Sequence, residues 1–209
     1  MKKMKKKSKG FSLDFLATHY DKLTFTERSR IRRKQMALIG LKGGKSVLDV
    51  GCGTGSLSIL ARLAVGDAGR VCGIDIAPRM IRKAKEKAER SKLDIDFQTA
   101  SITRLPFPEE RFDVVISSLV FHHLPLPIKK DGLGEIYRVL KRSGRFFLAD
   151  FSAPHVITAP LMFLFLIWLS STRYQFLGKL PGLITEAGFK DVSRVKKGVF
   201  LDYFIIRKG

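Results

Sequence analysis

Ser46-Val47-Leu48-Asp49-Val50 is a short branched apolar run carrying one acid, and it empties into glycines at positions 51, 53 and 55. Such a run reads as a strand buried on both faces, because it offers no polar side to water. Glycines at alternate positions beyond it let the backbone turn tightly and approach a ligand without Cβ atoms in the way. A helical stretch from about Ser56 to Ala64 follows, then a turn at 66–69 and a second strand, Arg70 to Ile74. Strand, crossover helix and strand in this order build a parallel sheet.

The unit repeats. Pro78 suits the first turn of a helix running to about Ser91, with Met80, Ile81, Ala84 and Ala88 toward the sheet and Arg79, Arg82, Lys83, Lys85, Lys87 and Arg90 outward. Strands near Ile95–Thr99 and Phe112–Ser117, a helix near Gly132–Leu140 and a strand Arg145–Phe151 continue the alternation. The end differs: a helix near Leu180–Ala187 precedes strands near Phe189–Val195 and Phe200–Arg207, close enough to form an antiparallel hairpin. At the start, Phe11, Phe15, Leu16 and Tyr20 recur at helical spacing, and a second helix runs from Thr24 or Thr26 to Gly40. The expectation is an α/β doubly wound sheet in one domain over residues 11–209, preceded by a basic tail over residues 1–10.

Composition narrows the class. Apolar residues at 45% and charged residues at 28% describe a globular chain, and no run of about 18 apolar residues suggests a membrane span. Thirty-nine Lys and Arg against 19 Asp and Glu leave +20, which favours an anionic partner: lipid headgroups or nucleic acid. Cys52 and Cys72 make neither a disulfide framework nor a zinc-ligand spacing, so no metal is expected and a reducing cytoplasm suits the chain. The lysine-rich start lacks the apolar core of an export signal.

The surroundings of the glycine loop indicate its ligand. Asp49 would repel a pyrophosphate at the neighbouring helix N-terminus but attract an ammonium group. Asp75 ends the second strand, 20 residues after Gly55, where a carboxylate accepts both ribose hydroxyls. Ser56 stands where a nicotinamide fingerprint wants glycine or alanine. A ligand with a ribose, an amino group and no diphosphate is S-adenosylmethionine.

Four stretches carry a family likeness. Val47-Leu48-Asp49-Val50-Gly51-Cys52-Gly53-Thr54-Gly55 resembles the first motif of the class I S-adenosylmethionine-dependent methyltransferases, and Gly73-Ile74-Asp75-Ile76-Ala77-Pro78-Arg79-Met80 their second-strand motif. Leu105-Pro106-Phe107 with Phe112-Asp113-Val114-Val115, and Val139-Leu140-Lys141-Arg142-Ser143-Gly144-Arg145, resemble the two stretches that follow. The resemblance implies a seven-stranded sheet, mostly parallel with the seventh strand antiparallel. It implies that Gly51 and Gly53 line the methionine part, that Asp49 lies near its amino group and Asp75 on the ribose, and that Ile76 and Met80 flank the adenine. Cys52, Gly55, Ile102 and Ser117 count among the implied cofactor contacts, and Tyr20 matches an aromatic that closes over the cofactor. Where relatives commonly place an acid toward the adenine amino group, this chain has Ser101, a neutral partner.

For the reaction itself, His122 and His123 lie just past the fourth strand and are candidate bases, with a structural pair as the alternative. Residues 152–178 hold the apolar run Leu161–Leu169 and read as a substrate cap, an interfacial segment or a core helix. The cap and the basic helices together favour a small hydrophobic or lipid-like acceptor at the inner face of the membrane. The motifs resemble quinone-biosynthesis C-methyltransferases and small phospholipid N-methyltransferases. An RNA methyltransferase, an enzyme for a soluble small molecule and a cofactor-binding protein without activity are the rivals; the sequence does not reveal an oligomeric state.

Overall fold

A computed structural model of the chain describes residues 25–151, 179–197 and 201–209. The elements run in order as α1 (Phe25–Ile39), β1 (Ser46–Val50), α2 (Ser56–Val65), β2 (Arg70–Asp75), α3 (Pro78–Arg90), β3 (Asp96–Thr99), β4 (Phe112–Ser118), α4 (Leu126–Val139), β5 (Leu140–Phe151), α5 (Leu180–Glu186), β6 (Asp191–Lys197) and β7 (Leu201–Arg207). A short 3-10 turn, Phe121–His123, follows β4. The strands form one sheet in the order β3-β2-β1-β4-β5-β7-β6. Pairings from β3 through β5 are parallel, and β7 runs antiparallel to both β5 and β6. This is the Rossmann-like doubly wound arrangement, with the strand order reversing between β1 and β4.

Burial follows from covering the sheet on both faces. Val47, Leu48 and Val50 have essentially no exposed surface. One face packs Leu48, Val115, Phe146 and Leu148 against Leu133 and Ile136 of α4 and Leu183 and Ile184 of α5. The other packs Val47, Val71, Ile116 and Phe147 against Ile39 of α1 and Leu57 and Ala61 of α2. The bare backbone ends of β1, β2 and β4 therefore open at one edge, where such folds bind ligands.

Two boundaries lie five or more residues from the expected ones, and one side chain turns the other way. The helix expected from Gly132 begins at Leu126 and carries Gly132 within it. A Cβ at Gly132 would stand 2.8 Å from Ile102, so this glycine allows close packing and does not break the helix. The fifth strand starts at Leu140, which pairs with Phe112 before the register jumps to Val114 with Arg145. Lys87, expected on the outer face of α3, donates to Thr54 Oγ1 at 3.0 Å and Ser56 Oγ at 2.9 Å; its long stem lets the ammonium reach back over the sheet edge. The basic tail, the Phe11–Tyr20 helix with Tyr20, and the cap over residues 152–178 lie outside the described residues. Among the described residues, no helix is long and apolar enough to cross a membrane.

Candidate active site

The glycine loop keeps its shape through the backbone. Gly51 and Cys52 both donate their N–H to Ile74 O, at 2.8 and 2.9 Å, which ties the loop to the end of β2. Gly51 sits at φ +74°, and a Cβ there would overlap the Val120 side chain, so the position needs glycine twice over. Gly53, at φ +55°, has no atom within 4 Å of where its Cβ would be, because it fronts open space. That space is a cleft of about 210 Å³. The loop forms its floor, Asp75, Ile76, Ala77 and Met80 one wall, and Ser118, Leu119, Val120 and His123 another.

Two carboxylates define the electrostatics. Asp75 accepts the Gly53 N–H at 2.9 Å on one oxygen and the Ala77 N–H at 2.9 Å on the other. Both oxygens are thus fixed in orientation at the cleft wall. Asp49 is 2% exposed and accepts the Ser58 hydroxyl at 2.6 Å. Burial pushes its carboxyl up to about 6, with the nearby Asp75 adding to the rise while Ser58 and Arg32 oppose it. A buried acid held near neutrality is stabilised in its charged form by an incoming cation. Burial and the same two acids hold the Cys52 thiol well above its usual range, so Cys52 is a neutral wall and not a nucleophile.

Of the residues expected at the cofactor, Asp49, Gly51, Cys52, Gly53, Asp75, Ile76 and Met80 line the cleft. Four others do not line it. Gly55 packs beneath the loop, where a Cβ would press on Phe97 and Ala84. Ser101 exchanges a 2.9 Å hydrogen bond with Thr103. Ile102 lies in the core, 8% exposed, and Ser117 is fully buried and donates to Val50 O at 3.1 Å.

Sequence reasoning missed the wall supplied by α1: Ile31, Arg32 and Gln35. Gln35, 1% exposed, donates from Nε2 to Ser118 Oγ at 2.8 Å and pins α1 to the end of β4. No periodic signal marked that face, which mixes Ile31 and Ile39 with Arg32 and Gln35. The two histidines separate: His123 lines the cleft, whereas His122 is 6% exposed and its Nδ1 lies 2.8 Å from Asp150 Oδ1. Among the described residues, no cluster of potential ligands for a metal ion occurs.

The residues present suit a cationic nucleoside. Open space over Gly53 admits a ligand against bare backbone, Asp75 offers paired acceptors for a ribose, and Asp49 gains from a positive neighbour. A family model described as a methyltransferase domain matches residues 47–144. A demethylmenaquinone methyltransferase of Listeria welshimeri is 28% identical over 203 residues, covering 85% of each chain. One of Thermus thermophilus is 36% identical over 143 residues, 66% of this chain and 64% of the other. Among solved structures, a SAM-dependent methyltransferase from Aquifex aeolicus matches with a TM-score of 0.73 at 24% identity, covering 91% of this chain and 97% of that one. With the motifs, the sheet order and these likenesses in agreement, the chain belongs to the class I S-adenosylmethionine-dependent methyltransferases, and S-adenosylmethionine is its methyl donor.

Proposed function

We propose that this methyltransferase acts on a hydrophobic quinol-type acceptor at the surface of an anionic membrane. The observation that carries the reading is the likeness to demethylmenaquinone methyltransferases over 85% of the chain, well beyond the matched domain at 47–144. Charge supports the membrane half of it. The chain holds +20, and α3 lays Arg79, Arg82, Lys85 and Arg90 on the surface. Each such residue near an anionic bilayer is worth about 1 kcal/mol.

In this reading Asp49 faces the ammonium of the donor, while Gly51, Cys52 and Gly53 line its amino-acid chain. Asp75 takes the ribose hydroxyls, and Ile76 and Met80 flank the base. Bound there, S-adenosylmethionine supplies a methyl group on a positively charged sulfur, whose bond to that carbon breaks with the electron pair going to sulfur. The chain's own work is alignment, which contributes on the order of 7–11 kcal/mol when geometry is good. A quinol ring carbon becomes a strong nucleophile once its hydroxyl loses a proton, so the acceptor also needs a base. His123 lines the cleft with the His122 ring 3.7 Å beside it, and both are candidate bases toward the acceptor; Tyr20 and residues 152–178 lie outside the described residues.

The test incubates the enzyme with methyl-labelled donor and, separately, a demethylmenaquinol in phosphatidylglycerol vesicles, phosphatidylethanolamine vesicles and total RNA. Flotation with the same anionic vesicles runs alongside. Label on the quinol, with vesicle binding at low salt, is the expected result. Label confined to RNA or to phosphatidylethanolamine would overturn the quinol assignment. Full activity on a soluble acceptor without vesicle binding would remove the membrane from the proposal.

A further inference from the structure

Beside His123, which lines the cleft, His122 and the neighbouring strand hold a polar cluster outside the cleft lining. Asp150, at the end of β5, is 1% exposed. One of its oxygens accepts the Phe151 N–H at 2.7 Å and the other the His122 backbone N–H at 3.2 Å. With two backbone donors already on this carboxylate, the 2.8 Å contact to His122 Nδ1 is a ring N–H donating to it. Nδ1 therefore carries the ring hydrogen, and Nε2, on the far side of the ring, holds a lone pair directed away from Asp150.

The ring itself is held in place. It packs 3.7 Å from the His123 ring and 4.6 Å, edge-on, from Phe151. Its side chain keeps 7% of its surface open, so it is held but not sealed. Lys129, in the first turn of α4, is buried and feels the Asp150 charge; burial lowers its ammonium to about 8 while Asp150 pulls it back up. Across β7, Asp202 stands in register with Asp150, with Oδ2 3.7 Å from Arg194 Nε and Oδ1 without a hydrogen-bond partner among the described residues. His123 is a poor proton acceptor: burial and the neighbouring ring bring it down to about 4.

We infer that His122 Nε2 is the base that removes the acceptor's hydroxyl proton, and that Asp150 is the positioning residue that keeps its lone pair free. The inference rests on the quinol reading above and names the residues that make its ring carbon reactive. In the step, the acceptor O–H bond breaks, an Nε2–H bond forms, and the electron pair stays on the acceptor as a phenolate conjugated to the ring carbon. After carbon–carbon bond formation the ring C–H proton is lost to water, and the imidazolium returns its proton to the oxygen. One proton is released overall.

The experiment has an acceptor-free arm and an activity arm. In the first, nitrogen-15 NMR of histidine-labelled enzyme reads the ring tautomer of His122 at neutral pH, assigned with His122→Ala. Hydrogen on Nδ1 in the wild type is expected, moving to Nε2 in Asp150→Asn, whose amide donates to Nδ1. Hydrogen on Nε2 in the wild type overturns the inference. In the second, His122→Ala and Asp150→Asn lose at least 100-fold in kcat on the demethylmenaquinol, the low end for a lost general base. Calorimetric affinity for the donor stays within about threefold, which separates lost chemistry from a damaged fold. Unchanged kcat in both variants overturns the inference and leaves the quinol reading standing. If the wild type methylates phosphatidylethanolamine instead, the quinol reading falls and takes the hydroxyl-deprotonation step with it, because that acceptor is methylated on nitrogen. If it methylates neither, that reading falls and the tautomer decides.

Discussion

Asp49→Asn separates what the buried acid does for the ligand from what it does to the fold. The shift from 3.8 to about 6 is roughly two pKa units at about 1.36 kcal/mol each, so the charged carboxylate costs the folded protein on the order of 3 kcal/mol at neutral pH. Asparagine removes that cost and keeps a neutral acceptor for Ser58, giving back about 1 kcal/mol of the charge-assisted bond. The variant is then about 2 kcal/mol more stable without ligand, or about 4–8 °C in Tm for a chain of this size. The sign with pH follows. Because the folded value lies above the unfolded one, the folded state binds the proton more tightly between pH 3.8 and about 6. Wild-type stability from this group therefore falls as pH rises through that window and stays low above it. Thermal melts of both proteins at pH 4, 6 and 8 should show the gap near zero at the first and full at the last. Calorimetry at pH 8 should show donor affinity down about 10- to 100-fold in the variant. A variant no more stable at pH 8 than at pH 4 relative to wild type, or one that binds the donor as tightly, would refute the reasoning.

Gly51→Ala must bear a left-handed alanine and an overlap with Val120, so melts should show a loss of about 2–5 kcal/mol, whereas Gly53→Ala, with open space before it, should lose only about 1–2 kcal/mol but bind the donor poorly. Lys87→Met keeps the stem and removes the bonds to Thr54 and Ser56; a stability loss of about 1–3 kcal/mol and a several-fold rise in donor Kd are expected, and an unchanged Kd would mean that the clamp does not shape the loop.

Strands β1 and β2 were legible because each is buried on both faces and bounded by glycine or proline, so local composition and tertiary environment agree. The cofactor loop was legible for a related reason: its shape needs positive φ at residues 51 and 53, and that demand writes glycine into the sequence. Where packing between distant segments decided the outcome, reading failed. Gly132 reads as the start of its helix, and the reason for a glycine inside α4 is Ile102, thirty positions earlier and close only in the fold. The α1 wall depends on Gln35 reaching Ser118 across 83 residues of chain. Asp150 looked like one more residue in a strand, and its bond to His122 spans 28 positions. Ser117 and Ile102 have the right place in the chain for cofactor contacts, yet the alternation of side chains along a strand and the fit against α4 turn them into the core.

A donor that carries a positive sulfur and an ammonium must enter a chain of charge +20. At physiological salt, screening confines exposed charges to about 8 Å, so the lysines and arginines of the outer surface weigh little at the cleft. Asp49 and Asp75 act there at short range and away from bulk water, where screening is weak. On the proposed membrane reading, the same separation would let one molecule hold a cationic donor and an anionic surface at once. Methyl transfer removes the charge from sulfur, so the product loses part of the attraction that held the donor, while charge on the outer surface is unaltered. If the acceptor is held at a bilayer, as proposed, this chemistry favours exchange of the spent donor without release of the enzyme from that surface.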